Sequence, residues 1–171
     1  VAGARDACRQ RRVGRGRIYL VSDSHVLDAA RLARGVCRAF DQRGYASLLE
    51  FPLANGRRAD VIALHRGGEL AIVEIKSSVA DFRADQKWPE YRDWCDRLYF
   101  AVANGFPAEL IPGDCGLIIA DAFGAELVRE APCVPLPAAR RKAVTLRFAF
   151  AGAGRLRRLV DPGAGDPELL C

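Results

Sequence analysis

Asp60, thirteen intervening residues and then Glu74-Ile75-Lys76 form the pattern in this chain best suited to chemistry. Two carboxylates offer oxygen ligands to a hard divalent cation. An ammonium beside them can orient water and offset phosphate charge, which together equip a metal-assisted phosphodiester hydrolase. The lysine carries weight because lysine is rare here: of 26 Lys and Arg residues, only Lys76, Lys87 and Lys142 are lysine. Its ammonium is a compact point charge that burial can tune, unlike a guanidinium. A structural ion-pair cluster would satisfy the same loose spacing. Setting three charges beside apolar strands is costly, however, unless a metal or phosphate answers them.

Two short strands must position these groups. Residues 59–65 and 70–76 are apolar and rich in β-branched side chains, and Arg66-Gly67-Gly68-Glu69 separates them, so they read as a hairpin. A two-residue turn at Gly67-Gly68 would face Asp60 with Ile75 and send the two carboxylates to opposite sides of the sheet. A three-residue turn, Arg66-Gly67-Gly68, with Gly68 left-handed, faces His65 with Glu69 and therefore Asp60 with Glu74. The second register is the expected one. Lys76 then points the same way as Glu74, two residues on, and the backbone carbonyl of Ile75 lies between them as a further metal ligand.

Length and composition bound the rest. A chain of 171 residues with 50% hydrophobic content supports one domain with a real core. The net charge of +5 is concentrated in residues 1–17, which carry six arginines against Asp6. Residues 18–171 are formally neutral, so DNA contacts must use local patches. The six cysteines have no C-x2-C spacing and no histidine company, and they read as free thiols in a reducing compartment. No run is long enough for a signal peptide or a membrane span, so a cytoplasmic protein without membrane contact is expected. Gly-x-Gly at residues 14–16, 152–154 and 163–165 lies outside any strand-to-helix setting, which argues against a small-molecule cofactor.

Apolar steps of three and four from Ser24 to Phe40 predict an amphipathic helix ending at Gly44. Strands are expected at 45–52, 59–65, 70–76, 98–102, 116–120 and 126–129. Helical turns are expected after Ser77-Ser78 and near 106–110, a helix from Pro89 to Asp96, and a last helix from Ala138 to Phe150, extending toward Val160. Residues 1–17 read as a flexible basic arm, 18–160 as a single domain and 161–171 as a disordered tail. This order implies an α/β fold with a mixed sheet flanked by helices on both faces.

That order, with Asp60 on the second strand and Glu74-Ile75-Lys76 on the third, resembles the restriction-endonuclease-like core of PD-(D/E)XK nucleases. The runs 55–60, 73–78 and 81–91 more specifically resemble the MmcB family of bacterial DNA-repair proteins. The resemblance implies a divalent-metal-dependent DNA endonuclease acting in repair, nucleoid-associated when bound to DNA. Its metal would be Mg²⁺, with Mn²⁺ as a substitute, held by Asp60 and Glu74, and Lys76 would be the catalytic lysine. The first motif reads Ala59-Asp60 rather than Pro-Asp, a departure frequent in the superfamily. Glu50, at the end of the preceding strand, is a weaker candidate for a third metal carboxylate. Lys87 and Tyr91, four apart on an expected helix face, resemble a motif with which some relatives hold phosphate or brace the site.

Arg57 and Arg58, directly before Asp60, are expected to reach DNA phosphates, whereas Arg140-Arg141-Lys142 reads as a solvated helix face. Trp88, Tyr91 and Trp94 at helical spacing are expected in the core rather than as a base-stacking platform. His25 and His65 lack the company for metal binding, and no serine has a histidine partner. Many such folds cut DNA as homodimers, yet no interface signature stands out. A catalytically idle DNA-binding accessory on the same fold remains the rival reading.

Overall fold

Leu32, Ala33, Val36 and Phe40 recur at helical steps and are all buried, which gives helix α1 (Asp23–Gln42) one apolar face. Gly44, at φ +83°, stops the helix as expected, and its N–H returns to the carbonyl of Asp41. This computed structural model describes residues 23–163; the arm at 1–17 and the tail from 164 onward lie outside the described residues. The helix begins at Asp23, one residue ahead of the expected cap Ser24.

Six strands follow: β1 (Tyr45–Pro52), β2 (Arg58–His65), β3 (Leu70–Lys76), β4 (Arg97–Val102), β5 (Gly116–Ala120) and β6 (Ala125–Arg129). They lie in sequential order in one mixed sheet, in which β3–β4 and β4–β5 are parallel and the other neighbours antiparallel. Helix α1 covers one face, packing on Val61, Ala63, Ala71 and Val73. Helix α3 (Ala138–Val160) and a 3₁₀ segment at Trp88–Trp94 cover the other, over Ile62, Leu70, Ile72 and Phe100. Every residue of β3 is buried, as befits a strand covered on both faces.

The β2–β3 turn adopts the three-residue form. Gly68 has φ +88°, its N–H bonds to the His65 carbonyl, and the His65 N–H bonds to the Glu69 carbonyl. The ladder then runs Leu64 with Leu70 to Val61 with Val73.

The connection after β3 departs from expectation. Ser78 caps α2 (Val79–Ala84) through a bond from the Asp81 N–H, but residues 88–94 are 3₁₀, not the α-helix expected through Asp96. Asp96 is instead buried. Its carboxylate accepts from the N–H groups of Leu70 and Leu136 at 2.7 and 2.8 Å and from both terminal nitrogens of Arg141 at 2.6 and 2.7 Å. Arg140 pairs with Asp93, so the expected solvated face at 140–142 is in part a structural clamp. Trp88 and Trp94 pack against the core and Tyr91 lies within it, as expected. Cys37, Cys95, Cys115 and Cys133 are free thiols, and among the described residues no helix is long and apolar enough to cross a membrane.

Candidate active site

The register of the hairpin places Asp60 across from Glu74. Bonded pairs alternate along an antiparallel ladder, so after His65–Glu69 the sequence of exchange runs through Ala63–Ala71 and Val61–Val73 and would next reach Ala59–Ile75. There the sheet forks. β2 stays with β1, pairing Ala59 with Phe51, while β3 stays with β4, pairing Ile75 with Ala101. The Ile75 N–H, freed from the ladder, donates to Oδ2 of Asp60 at 2.7 Å, and the Asp60 N–H approaches Oε1 of Glu74 at 3.4 Å. A strand residue's N–H and carbonyl point to the same side, so the Ile75 carbonyl also faces the fork.

Asp60, Glu74 and Lys76 share strand parity with Ile62 and Ile72, hence the sheet face covered by the 3₁₀ segment. All three line one pocket of about 450 Å³, together with Glu50, Arg58, Asp81 and Tyr91. Its far wall is the small-residue stripe Ala29, Ala30 and Ala33 of α1. A separate groove of about 340 Å³ between the end of β1 and α3 has Arg147 as its single ionisable lining group, in contrast to the acidic pocket.

Glu74 is 3% exposed and Lys76 4%. Burial, then the charge of Asp60, pushes the Glu74 carboxyl up to about 8. Asp60 is also raised, by burial first and by the nearby charges of Glu50 and Asp81, against the opposing bond from Ile75 and the charge of Lys76. The charge of the Lys76 amine lowers both without reversing the upward shift. Its Nζ sits 2.5 Å from Oδ2 of Asp85 and 3.9 Å from Oε2 of Glu74. Burial tends to raise the Asp85 carboxyl, but the bond from Lys76, the Lys87 N–H and the lysine's charge together outweigh it and the group lies below its ordinary value. The lysine is thus matched most closely by Asp85, with buried Glu74 at the edge of its reach and half-buried Asp60 in no ion pair among the described residues.

The other expected site residues fall differently. Glu50 stands across from Asp60 in the register, but its Oε2 is 2.5 Å from Nε of Arg58. Arg57, expected on phosphate, forms a bidentate pair with Glu90 at 2.8 and 2.7 Å. Lys87 and Tyr91 do not share an α-helical face: Lys87 precedes the 3₁₀ segment, which turns every three residues. Tyr91 is buried and its hydroxyl donates to the Arg58 carbonyl at 3.0 Å, which makes it a brace for the start of β2. Among the described residues no group of three or more His, Cys, Asp or Glu side chains is gathered to hold a metal, because Glu50 and Asp85 are each turned to a basic partner.

Two residues escaped the sequence reading. Asp85, the C-cap of α2, holds Lys76 and fixes its other oxygen on the Lys87 N–H at 2.9 Å. Asp81 lines the pocket and accepts from Ser77 N–H and Oγ. Their i, i+4 spacing just after Lys76 was the available signal.

A family model for DNA repair protein MmcB-like matches residues 20–163. The chain belongs to the MmcB-like family of DNA repair proteins. Its fold is similar to the SPO1766 protein of unknown function from Silicibacter pomeroyi, a solved structure with 50% identity and a TM-score of 0.78, over 81% of this chain and 95% of that one. No curated protein matches. The family and the mixed six-stranded sheet agree with a restriction-endonuclease-like core.

Proposed function

We propose that the chain is a divalent-metal-dependent DNA endonuclease that hydrolyses phosphodiester bonds in repair, on a PD-(D/E)XK site. One observation carries this reading: a buried and a half-buried carboxylate, Glu74 and Asp60, stand across from each other at the sheet fork while the neighbouring lysine is held most closely by a different acid. Such a donor set fits a hard cation. Asp60, Glu74 and the Ile75 carbonyl would hold Mg²⁺ or Mn²⁺, oxygen ligands of the kind these ions prefer. When bound, the cation supplies Lewis acidity that polarises a non-bridging phosphate oxygen.

The protein's own groups do the rest. Asp60 is oriented by the Ile75 N–H, so its free oxygen faces the pocket. The Lys76 ammonium, held by Asp85 beside Glu74, donates a hydrogen bond to the attacking water or the phosphate oxygen and offsets charge as the new P–O bond forms and the ester bond breaks. Tyr91 holds the start of β2 so that Asp60 keeps its register with Glu74.

The test is cleavage of plasmid, single-stranded and branched DNA with Mg²⁺ or Mn²⁺. Asp60→Asn, Glu74→Gln and Lys76→Ala should each lower the rate at least about 100-fold with the fold intact. No cutting of any substrate by wild type, or equal cutting by Asp60→Asn, would overturn it. The Lys76–Asp85 pair at 2.5 Å also favours a second reading, a catalytically idle DNA-binding accessory whose lysine is locked. Binding of DNA with Ca²⁺ but no cleavage with Mg²⁺ would select that one.

A further inference from the structure

The row of acids extends onto a third strand. Leu49 pairs with Val61 and Phe51 with Ala59, which sets Glu50 across from Asp60 as Asp60 is across from Glu74. Its carboxylate nevertheless stays out of the row, because Nε of Arg58 holds Oε2 at 2.5 Å. Side chains 68% and 56% exposed make this a weak, exchangeable pair.

The backbone around Glu50 is the opposite of exchangeable. Glu50 has φ +48°, the left-handed region that residues other than glycine avoid, and among the described residues it is alone in this. Arg155 of α3 donates to the carbonyls of Leu49 and Glu50, which pins that conformation from the edge of the sheet. A fixed backbone therefore carries a side chain tied only by a surface contact. Both members of that contact line the pocket of Asp60 and Glu74.

We propose that Arg58 and Glu50 are an exchange pair: a DNA phosphate takes the Arg58 guanidinium, and the released Glu50 carboxylate turns to Asp60 and Glu74 as the third acid around the divalent cation, so that phosphate and cation bind cooperatively. This rests on the reading of the site as a metal-dependent nuclease. A guanidinium matches two phosphate oxygens with a planar pair of donors, a better partner than one exposed carboxylate oxygen. A third carboxylate beside Asp60 and Glu74 is disfavoured, by repulsion and by desolvation, unless a dication is present, so Glu50 remains on Arg58 until both ligands arrive. The absence of a three-carboxylate group among the described residues is what this order of events requires.

The test is a linkage measurement with the full chain. Ca²⁺ is titrated calorimetrically with and without a saturating short DNA duplex, and the duplex is titrated with and without Ca²⁺. In wild type each ligand should tighten the other by the same factor, about 5- to 20-fold. In Glu50→Gln that factor should fall severalfold, to what direct contact between cation and phosphate leaves, with DNA still bound in the absence of cation. In Arg58→Gln, Ca²⁺ alone should bind more tightly than to wild type, and DNA should add no more than in Glu50→Gln. Arg58→Lys, which keeps the charge without the planar fork, should retain a reduced coupling and stands in if Arg58→Gln does not fold. Coupling of one in wild type, or full coupling in Glu50→Gln, overturns the exchange alone if wild type still binds and cuts DNA. A wild type that binds neither Ca²⁺ nor Mn²⁺ overturns both the exchange and the nuclease reading.

Discussion

Glu74 is asked to hold a proton where glutamates ordinarily do not. Its folded pKa of about 8 lies above its ordinary 4.5, so between these values the folded chain binds a proton that the unfolded chain has released. Stability of the metal-free protein must then fall as pH rises through that window. Glu74→Gln should raise the melting temperature in EDTA, clearly at pH 8 and hardly at pH 5. On the proposed reading Mg²⁺ would compete with the same proton, so the rise in melting temperature it causes should be larger at pH 8.5 than at pH 6. Melting curves across that range check both, and a flat wild-type profile from pH 5.5 to 8 would contradict the assignment. The three central residues were legible in the sequence because strand parity and one glycine set their geometry. Asp85 was not, because its reach to Lys76 depends on how the loop after β3 folds back. The pairing of Arg57 with Glu90, 33 residues away, was not legible either, because it is a tertiary contact.

The elements show the same division between local and distant causes. β1, β3 and β5 begin and end where apolar content and turn residues put them, and the β2–β3 register follows from the left-handed Gly68. The helix expected through Asp96 failed for a reason no periodicity reveals. Asp96 is a four-bond acceptor tying the start of β3, the 132–137 connector and α3 together. Removing it leaves Arg141 facing two orphaned N–H groups, so Asp96→Ala should cost about 3–5 kcal/mol. Asp96→Asn, which preserves shape, should cost less. Urea denaturation gives the answer, and a loss under about 1 kcal/mol would mean that the clamp does not hold α3. Gly35 marks another distant constraint: a Cβ there would lie 2.1 Å from the Asp121 carbonyl oxygen, so α1 can reach the β5–β6 turn only with glycine.

At the scale of the molecule, the strand that is buried throughout is also the one that carries Glu74 and Lys76. Amides of β3 and β4 should therefore exchange hydrogen most slowly. The Ile75 amide, bonded to a side chain rather than to the ladder, should exchange faster than that of Val73, and faster still in Asp60→Ala. The charge balance of residues 18–171 leaves no broad field, so on the proposed reading local groups such as Arg58 would meet the phosphates. The scarcity of lysine has a practical consequence. Lys87 and Lys142 are exposed while Lys76 is not, so an amine-acylating reagent should modify two lysines promptly and the third only when the space around it opens. Intact-mass spectrometry would read that delay as a stopwatch on the protein's breathing, without any substrate in the tube.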